Sequence, residues 1–113
     1  MSTINKKLTV KDFKAYKLIY DTNGELKTDL ELLLTLKKWR AYIMEKEHLP
    51  ATCIFHNRNL VEFATYLPQT EVEFLKIRGV GKRKWIKYGG TVVGIIKQRL
   101  SDRNLGADDT IPF

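Results

Sequence analysis

The chain has 113 residues, of which 43% are hydrophobic and 29% charged. This length and composition suit one folded domain, and they exclude a disordered chain and a two-domain enzyme. The 20 lysines and arginines outnumber 13 aspartates and glutamates, and the net charge of +7 favours a polyanionic partner. No apolar run approaches the roughly 20 residues of a membrane span, and no secretory signal follows the basic start. We therefore expect a cytoplasmic protein with no membrane partner.

Residues 1–27 are interpreted as an N-terminal extension. Apolar residues at helical spacing between Leu8 and Tyr20, with Thr9 as the cap, predict a helix that ends before Asn23-Gly24. Asn-Gly between apolar runs is also typical of a β-hairpin, which here would join residues 16–20 to residues 25–27. The sequence leaves both alternatives open for this segment.

A leucine-rich pattern over residues 29–46 predicts the first long helix of the domain. Its apolar residues recur at helical spacing, and either Thr28 or Asp29 suits the N-cap position. The sequence Leu49-Pro50-Ala51 then predicts the end of this helix.

Three shorter features follow. Residues 53–55, Cys-Ile-Phe, form a short apolar plug, and a second helix carrying the apolar residues of 60–67 is closed by Pro68. Thr70 and Glu73 form a capping box that predicts the start of another short helix.

The last third of the chain is predicted to be helical around a glycine turn. Residues 78–81, Arg-Gly-Val-Gly, form the turn, and a helix over 82–88 follows. Gly89-Gly90 predicts a kink or a brief break. Residues 91–100 are β-branched and favour a strand by propensity, but without a partner strand we interpret them as a helix. Residues 101–113 are interpreted as a flexible acidic tail.

The positive charge is concentrated in one stretch of the sequence. Residues 1–73 carry a net charge of +1 and residues 101–113 carry −2, whereas residues 74–100 have eight cations and no acidic residue. A solvated helix face usually mixes both signs, so this stretch points to nucleic acid as the partner. The eight cations are Lys76, Arg78, Lys82, Arg83, Lys84, Lys87, Lys97 and Arg99.

The glycine turn lies within this basic stretch. Gly79 and Gly81 allow a tight turn and a close approach of the backbone to a ligand, and the next helix presents its N-terminal N–H groups. Val80 would point inward as a small anchor. This unit resembles the helix-hairpin-helix turn, which binds the nucleic-acid backbone without reading bases. The alternative is a corner between two helices whose cations only face water.

The sequence predicts no catalytic site and no cofactor. Residues 79–82 do not belong to a Walker A loop, because Lys76 and Arg83 stand where that motif requires a glycine and a hydroxyl residue. Two glutamate pairs, at positions 45 and 47 and at 71 and 73, are spaced by two residues and so point to different faces of a helix. We therefore expect a protein that is not an enzyme.

No metal site is predicted either. Cys53 cannot form an internal disulfide, and His48 and His56 do not complete a metal-ligand spacing with it. We expect Cys53 to be a buried thiol and both histidines to lie at the surface or at helix caps. Trp39 and Tyr88 are assigned to the core.

The order of these elements is similar to that of the HRDC domain, the helicase-and-RNase-D C-terminal module of RecQ-type helicases. The resemblance covers roughly residues 28–100 and is specific in the joint order and spacing of its parts. The residues that carry it are 33–40 (Leu-Leu-Thr-Leu-Lys-Lys-Trp-Arg), Pro50, Ile54-Phe55, Leu60, Ala64, Pro68, Leu75, Ile77, Gly79-Val80-Gly81, Lys84, Tyr88-Gly89 and Ile96.

The resemblance implies an all-α, compact bundle of about five helices with an auxiliary role in binding nucleic acid. DNA, single-stranded or at junctions, is the expected partner, and RNA is the alternative. Relatives often carry an aromatic residue before the Ile-Phe pair, but Thr52 stands here and cannot stack on a base. The predicted binding surface is therefore the glycine turn and the basic helix, with a second patch on the first helix. Its residues are Arg78, Gly79, Gly81, Lys82, Arg83, Lys84, Trp85 and Lys87, and then Lys37, Lys38 and Arg40.

The C-terminal residues, Asp-Asp-Thr-Ile-Pro-Phe, are similar to the acidic tail of bacterial single-stranded DNA-binding protein. This similarity implies a peptide that docks a helicase or another repair or replication protein. The alternative function is then a protein-interaction adaptor, and a third possibility is that the tail folds back on the basic helix. The residues assigned to partner binding are Asp108, Asp109, Ile111, Pro112 and Phe113.

Overall fold

Helices provide nearly all the regular structure of residues 8–108, the part of the chain that the computed structural model describes, with side chains as far as residue 104. The predicted all-α bundle is confirmed. In chain order the segments are a 3-10 helix (Val10–Phe13), α1 (Leu30–Glu47), α2 (Ala51–Ile54), α3 (Asn57–Tyr66), α4 (Glu71–Leu75), α5 (Lys82–Lys84), a π-helical segment (Trp85–Gly89) and α6 (Gly90–Asp108).

The predicted helix over residues 29–46 is α1, and Asp29 is its N-cap. The Asp29 carboxylate accepts a hydrogen bond from the Leu32 N–H at 3.1 Å and another from Arg99 Nε on α6 at 2.8 Å. Its own N–H donates to the Ala64 carbonyl of α3 at 2.9 Å. Asp29 therefore joins the start of α1 to two other helices as well as capping it.

Phe55, between α2 and α3, lies at the centre of the core. It is fully buried, and its ring makes edge-to-face contacts with three other rings. The distances between ring centres are 5.0 Å to Phe63 of α3, 6.1 Å to Phe74 of α4 and 5.7 Å to Tyr88. Trp39 of α1 packs against the same ring at 6.1 Å. The assignment of Trp39 and Tyr88 to the core is therefore confirmed, and one aromatic cluster holds the helices together.

The predicted helix between Leu8 and Tyr20 is wrong beyond its first turn. Only Val10–Phe13 is helical, and the chain then runs to a hairpin with a single antiparallel bridge between Tyr20 and Leu26. The Asp21 carboxylate accepts the N–H groups of Asn23 and Glu25, and Gly24 has φ of +80°. This local turn chemistry favours the hairpin alternative over a continued helix.

Residues 82–108 form one uninterrupted helical run. The kink or break predicted at Gly89-Gly90 is replaced by the π-helical segment, whose wider turn keeps the run continuous. Residues 91–100 are helical as predicted, against their strand propensity. The helix continues to Asp108, so the prediction of a flexible tail is wrong for residues 101–108. Residues 109–113 lie outside the described part of the chain.

Among the described residues, no helix combines the length and the apolar character that a membrane crossing requires.

Candidate nucleic-acid interface

The glycine turn links α4 to the long helical run. Gly79 adopts a φ of +87°, a conformation that a residue with a side chain rarely takes. Val80 is buried, and its N–H donates to the Ile77 carbonyl at 3.3 Å, so the predicted inward anchor is confirmed. Gly81 is the N-cap of the helical run, and no atom lies within 4 Å of the position that a Cβ would take there.

Asn59 of α3 holds the turn from its buried side. Its side chain is buried, and its amide nitrogen donates to the Arg78 carbonyl at 2.9 Å. Its amide oxygen accepts the His56 N–H at 3.0 Å at the start of α3. Sequence analysis missed Asn59, because an asparagine in the first turn of a helix is typical of a capping residue and gives no signal of a distant contact.

Three exposed arginines, Arg58, Arg78 and Arg83, have no ion pair within the described part of the chain. Arg58 of α3 was not predicted, because it lies outside the basic stretch of the sequence. The fold brings it to the turn, where its Nη2 lies 3.5 Å from the position of a Cβ on Gly79. We define the turn surface as Arg58, Arg78, Gly79, Gly81, Lys82 and Arg83.

Two other predicted lysines form exposed ion pairs. Lys82 binds Glu71 of α4, and the ammonium of Lys87 lies 3.3 Å from the carboxylate of Glu47 on α1. Tyr88 donates a hydrogen bond to the same carboxylate at 2.8 Å, and this bond, more than Lys87, holds the pKa of Glu47 below its usual value. The hydrogen bond with Glu47 raises the pKa of Lys87. Each of these two lysines therefore already has an anionic neighbour.

The HRDC domain family model matches residues 29–96, which is more than half of the chain. The chain belongs to the HRDC domain family. Over 71 residues it is 35% identical to the ATP-dependent DNA helicase UvrD2 of Mycobacterium tuberculosis, covering 63% of this chain and 10% of the helicase. Over 70 residues it is 37% identical to the ATP-dependent DNA helicase RecQ of Pasteurella multocida, covering 62% of this chain and 11% of RecQ.

A plant relative matches a similar length of the chain. The chain is 37% identical over 73 residues to the ATP-dependent DNA helicase Q-like 4B of Arabidopsis thaliana, covering 63% of this chain and 6% of that protein. The chain thus matches about a tenth or less of the length of each of these helicases. What it shares with them is the HRDC domain, a small non-catalytic accessory domain.

Within this HRDC domain, Lys84 is part of the packing and not a free cation. Its ammonium donates to the Ile54 carbonyl at 2.6 Å and to the Cys53 carbonyl at 3.1 Å, and it lies 5.4 Å from the centre of the Phe55 ring. Burial, the largest cause, lowers the pKa of Lys84. Lys84 caps the last carbonyls of α2, and this use of its ammonium within the fold makes it a weaker candidate for a nucleic-acid contact than the exposed arginines.

Trp85 also faces inward. Its ring centre lies 5.2 Å from that of Phe74, and its edge lies against Gly89, where a Cβ would be only 2.0 Å from the ring. The indole is half-buried in these contacts. For Trp85, predicted as part of the binding surface, the structure supports packing within the fold over a face that is open for stacking on a base.

Of the three residues of the predicted second patch on α1, only the two lysines are exposed. Arg40 is buried, and its guanidinium donates to the Phe55 carbonyl and to the Asn57 side chain, both at 2.7 Å, and to the Tyr16 hydroxyl at 3.2 Å. It therefore fixes the α2–α3 junction, and its hydrogen-bond donors are used within the fold. Lys37 and Lys38 are exposed on α1 as predicted.

The cysteine and the two histidines do not form a second functional site among the described residues. Cys53 is exposed, so the prediction of a buried thiol is wrong; its place in the last turn of the short α2 leaves only Ile54 and Phe55 inside. His48 and His56 are exposed cap residues of α1 and α3, as predicted. Within the described residues, no three histidine, cysteine or acidic side chains come together as metal ligands would.

Proposed function

We propose that this HRDC domain is an auxiliary nucleic-acid-binding module that holds single-stranded or junction DNA through phosphate contacts at the turn surface. The observation that carries the proposal is the set of three exposed arginines around a glycine turn that have no ion-pair partner among the described residues. The relatives are DNA helicases by name, and an accessory domain that binds the strand near their motor would suit such proteins.

The backbone of the turn supports phosphate binding. Gly81 supplies no side-chain cap, so the first N–H groups of the helical run, those of Lys82, Arg83 and Lys84, have no intrahelical acceptor. They lie at the positive end of the helix dipole, next to Gly81, where an added Cβ would meet no neighbouring atom within 4 Å. A phosphate oxygen would accept these N–H groups while Arg83 and Arg78 supply full charges.

The exposed lysine pairs extend this surface at low cost. An exposed ion pair contributes only about 0–1 kcal/mol to stability, so Lys82 and Lys87 can exchange Glu71 and Glu47 for phosphate. The solvent-exposed face of the helical run has no acidic residue between Lys82 and Lys97. Its exposed residues are Lys82, Arg83, Ile86, Lys87, Gly90, Thr91, Gly94 and Lys97.

Fluorescence anisotropy with labelled single-stranded, duplex and junction DNA at two salt concentrations tests the proposal. If three to five phosphates are contacted, the logarithm of affinity should fall against the logarithm of salt with a slope of about −2 to −3.5 for a single strand. The double variant Arg78→Gln/Arg83→Gln should lose about tenfold or more in affinity and reduce the slope by about 1.4, which is two contacts.

The control variant Lys11→Gln/Lys14→Gln removes the same charge from two exposed residues of the N-terminal segment, neither of which belongs to the turn surface. We expect it to keep its affinity within about twofold, since a lost cation that meets no phosphate removes no contact. Equal losses in the two variants, or a flat response to salt, would reject the turn surface as the binding site. The same titration with RNA of identical sequence decides between the two nucleic acids.

The adaptor function stays a second candidate. The terminal residues that would carry it begin at Asp108, at the far end of a helical run of 27 residues, about 40 Å from Gly81 by helix geometry. The partners proposed for them are a helicase or another repair or replication protein. The cytoplasmic location also stays a prediction.

A further inference from the structure

A cavity of about 560 Å³ lies where α2 meets the start of α3. Among the described residues that line it, two are arginines and none is acidic. An anion is therefore the kind of ligand that this lining favours. The lining residues are Arg40, Ala51, Thr52, His56, Asn57 and Arg58.

Arg40 places a buried positive charge beside this cavity. It is only 6% exposed, and none of its three hydrogen-bond acceptors, which belong to Phe55, Asn57 and Tyr16, is a carboxylate. Within the described part of the chain it forms no ion pair. A buried charge that no opposite charge neutralises is costly, so an anion in the cavity would stabilise Arg40 through its charge while the hydrogen bonds of Arg40 stay within the fold.

Other polar groups of the cavity are open to a ligand. Thr52 and Arg58 are both exposed, and the Thr52 hydroxyl can donate a hydrogen bond. The first N–H groups of α3, those of Asn57 and Arg58, have no acceptor within the helix and lie at the positive end of its dipole. An anion that entered the cavity would therefore find hydrogen-bond donors as well as charge.

Arg58 joins the cavity to the turn surface. It lines the cavity, and its guanidinium also lies 3.5 Å from the position of a Cβ on Gly79. A strand whose phosphates lie on the turn surface can therefore place its end at the cavity.

We propose that the cavity binds the terminal phosphate of a DNA single strand whose adjoining phosphates lie on the turn surface. A terminal phosphate carries a charge of about −1.5 to −2 at pH 7 and offers three strong acceptor oxygens. An internal phosphate carries a single negative charge. The charges of Arg40 and Arg58 therefore match a terminal phosphate better than an internal one. This inference rests on the proposed function and adds the recognition of a strand end to a contact that is otherwise independent of sequence.

The experiment compares internally labelled thymidine strands of one length that carry hydroxyl ends, a 5′-phosphate or a 3′-phosphate. Anisotropy should show that at least one phosphorylated strand binds about tenfold tighter than the hydroxyl-ended strand, the lower end of what a hydrogen bond to a charged group contributes. A hydroxyl-ended strand that is one nucleotide longer adds an internal phosphate, and it should gain less than about twofold.

Three variants assign the preference to a place. Thr52→Glu puts a carboxylate into the cavity from an exposed position and should remove the preference. Thr35→Glu makes the same change in a different cavity, between α1 and α6, and should keep it. Arg78→Gln/Arg83→Gln should weaken the binding of every strand and also keep it. Because the preference is a ratio of two affinities in one variant, a general loss caused by the changed charge cancels.

Equal affinity for strands with and without a terminal phosphate, or a preference that survives Thr52→Glu, would overturn the cavity assignment while leaving phosphate binding at the turn surface in place. A preference that only Arg78→Gln/Arg83→Gln abolishes would also overturn it, because the terminal phosphate would then lie on the turn surface. No binding to any strand at low salt would overturn the proposed function and the cavity assignment together.

Discussion

Lys84 and Arg83 are neighbours in the sequence, but the fold places their charges in different surroundings. Arg83 is exposed with no ion pair among the described residues, whereas Lys84 donates to two carbonyls at the end of α2. We expect Lys84→Gln to lower the free energy of unfolding by about 1–2 kcal/mol, since a charged hydrogen bond is lost. Arg83→Gln should change it by less than about 0.5 kcal/mol. Urea unfolding followed by circular dichroism measures both.

The two variants should rank in the opposite order when DNA affinity is measured instead of stability. Measured at a temperature where both variants are folded, Arg83→Gln should bind DNA more weakly and Lys84→Gln should bind nearly as well as the native chain. Equal stability of the two variants, with equal losses of affinity, would mean that Lys84 is a contact residue after all. The structural argument for Lys84 would then be wrong.

For single residues, the sequence shows which side chains are charged but not which groups they contact in the fold. The basic stretch over residues 74–100 correctly predicted Arg78 and Arg83 as exposed cations. It did not distinguish Lys84, whose partners lie 30 residues earlier, and it did not reveal Arg58 or Asn59, which α3 brings to the turn. Buried cations are rare unless they are paired, so nothing local indicated that Arg40 would be enclosed by three acceptors.

The π-helical segment depends on one glycine. A Cβ on Gly89 would lie 2.0 Å from the ring of Trp85, and that ring packs on Phe74 in the core. Gly89→Ala should therefore lower the free energy of unfolding by about 1–3 kcal/mol, the usual cost of overpacking, although alanine is the better helix former. Thermal or urea unfolding measures the change.

The adjacent glycine is the matched control. No atom lies within 4 Å of a Cβ on Gly90, and its backbone is helical at φ −60° and ψ −39°. Gly90→Ala should raise the free energy of unfolding by about 0.4–1 kcal/mol, because it reduces the freedom of the unfolded chain. A loss of stability in both variants would indicate that the segment needs glycine for its backbone and not for the packing of Trp85.

Sequence patterns predicted the elements where periodicity and caps agree. The leucines of α1 with Asp29, and Thr70 with Glu73 before α4, are such cases. Prediction failed where tertiary contacts decide. The glycine pair at 89 and 90 predicted a kink, yet the indole of Trp85 occupies the space that Gly89 leaves, and the helix continues with a wider turn. In the N-terminal segment, the hydrogen bonds of Asp21 produced a hairpin where apolar spacing favoured a helix.

For the molecule as a whole, the resemblance to the HRDC domain carried more of the prediction than any single element. It gave the all-α bundle, and it agreed with the helical interpretation of residues 91–100 against their propensity. It gave no information on residues 8–28, which lie outside the matched region and line a groove against α3. The candidate site was thus predictable in its backbone, the glycine turn, and only partly in the side chains that surround it.

The long helical run bears on the role of the C-terminal residues. It separates Gly81 from Asp108 by about 40 Å, whereas five extended residues span at most about 18 Å. We therefore expect residues 109–113 not to cover the turn surface of their own chain. The remaining influence of their charge is screened, since the Debye length is about 8 Å at physiological salt.

Removal of residues 109–113 should thus leave DNA affinity unchanged within about twofold at physiological salt, since Asp108, to which they are attached, lies several Debye lengths from Gly81. Anisotropy with the same oligonucleotides measures this. A rise of about tenfold or more would contradict the geometry and indicate that the tail of one molecule covers the turn surface of another, which dilution would then relieve.

If the tail docks a helicase or another repair protein, the same deletion should abolish that capture while DNA binding persists. The two functions would then belong to opposite ends of one helix.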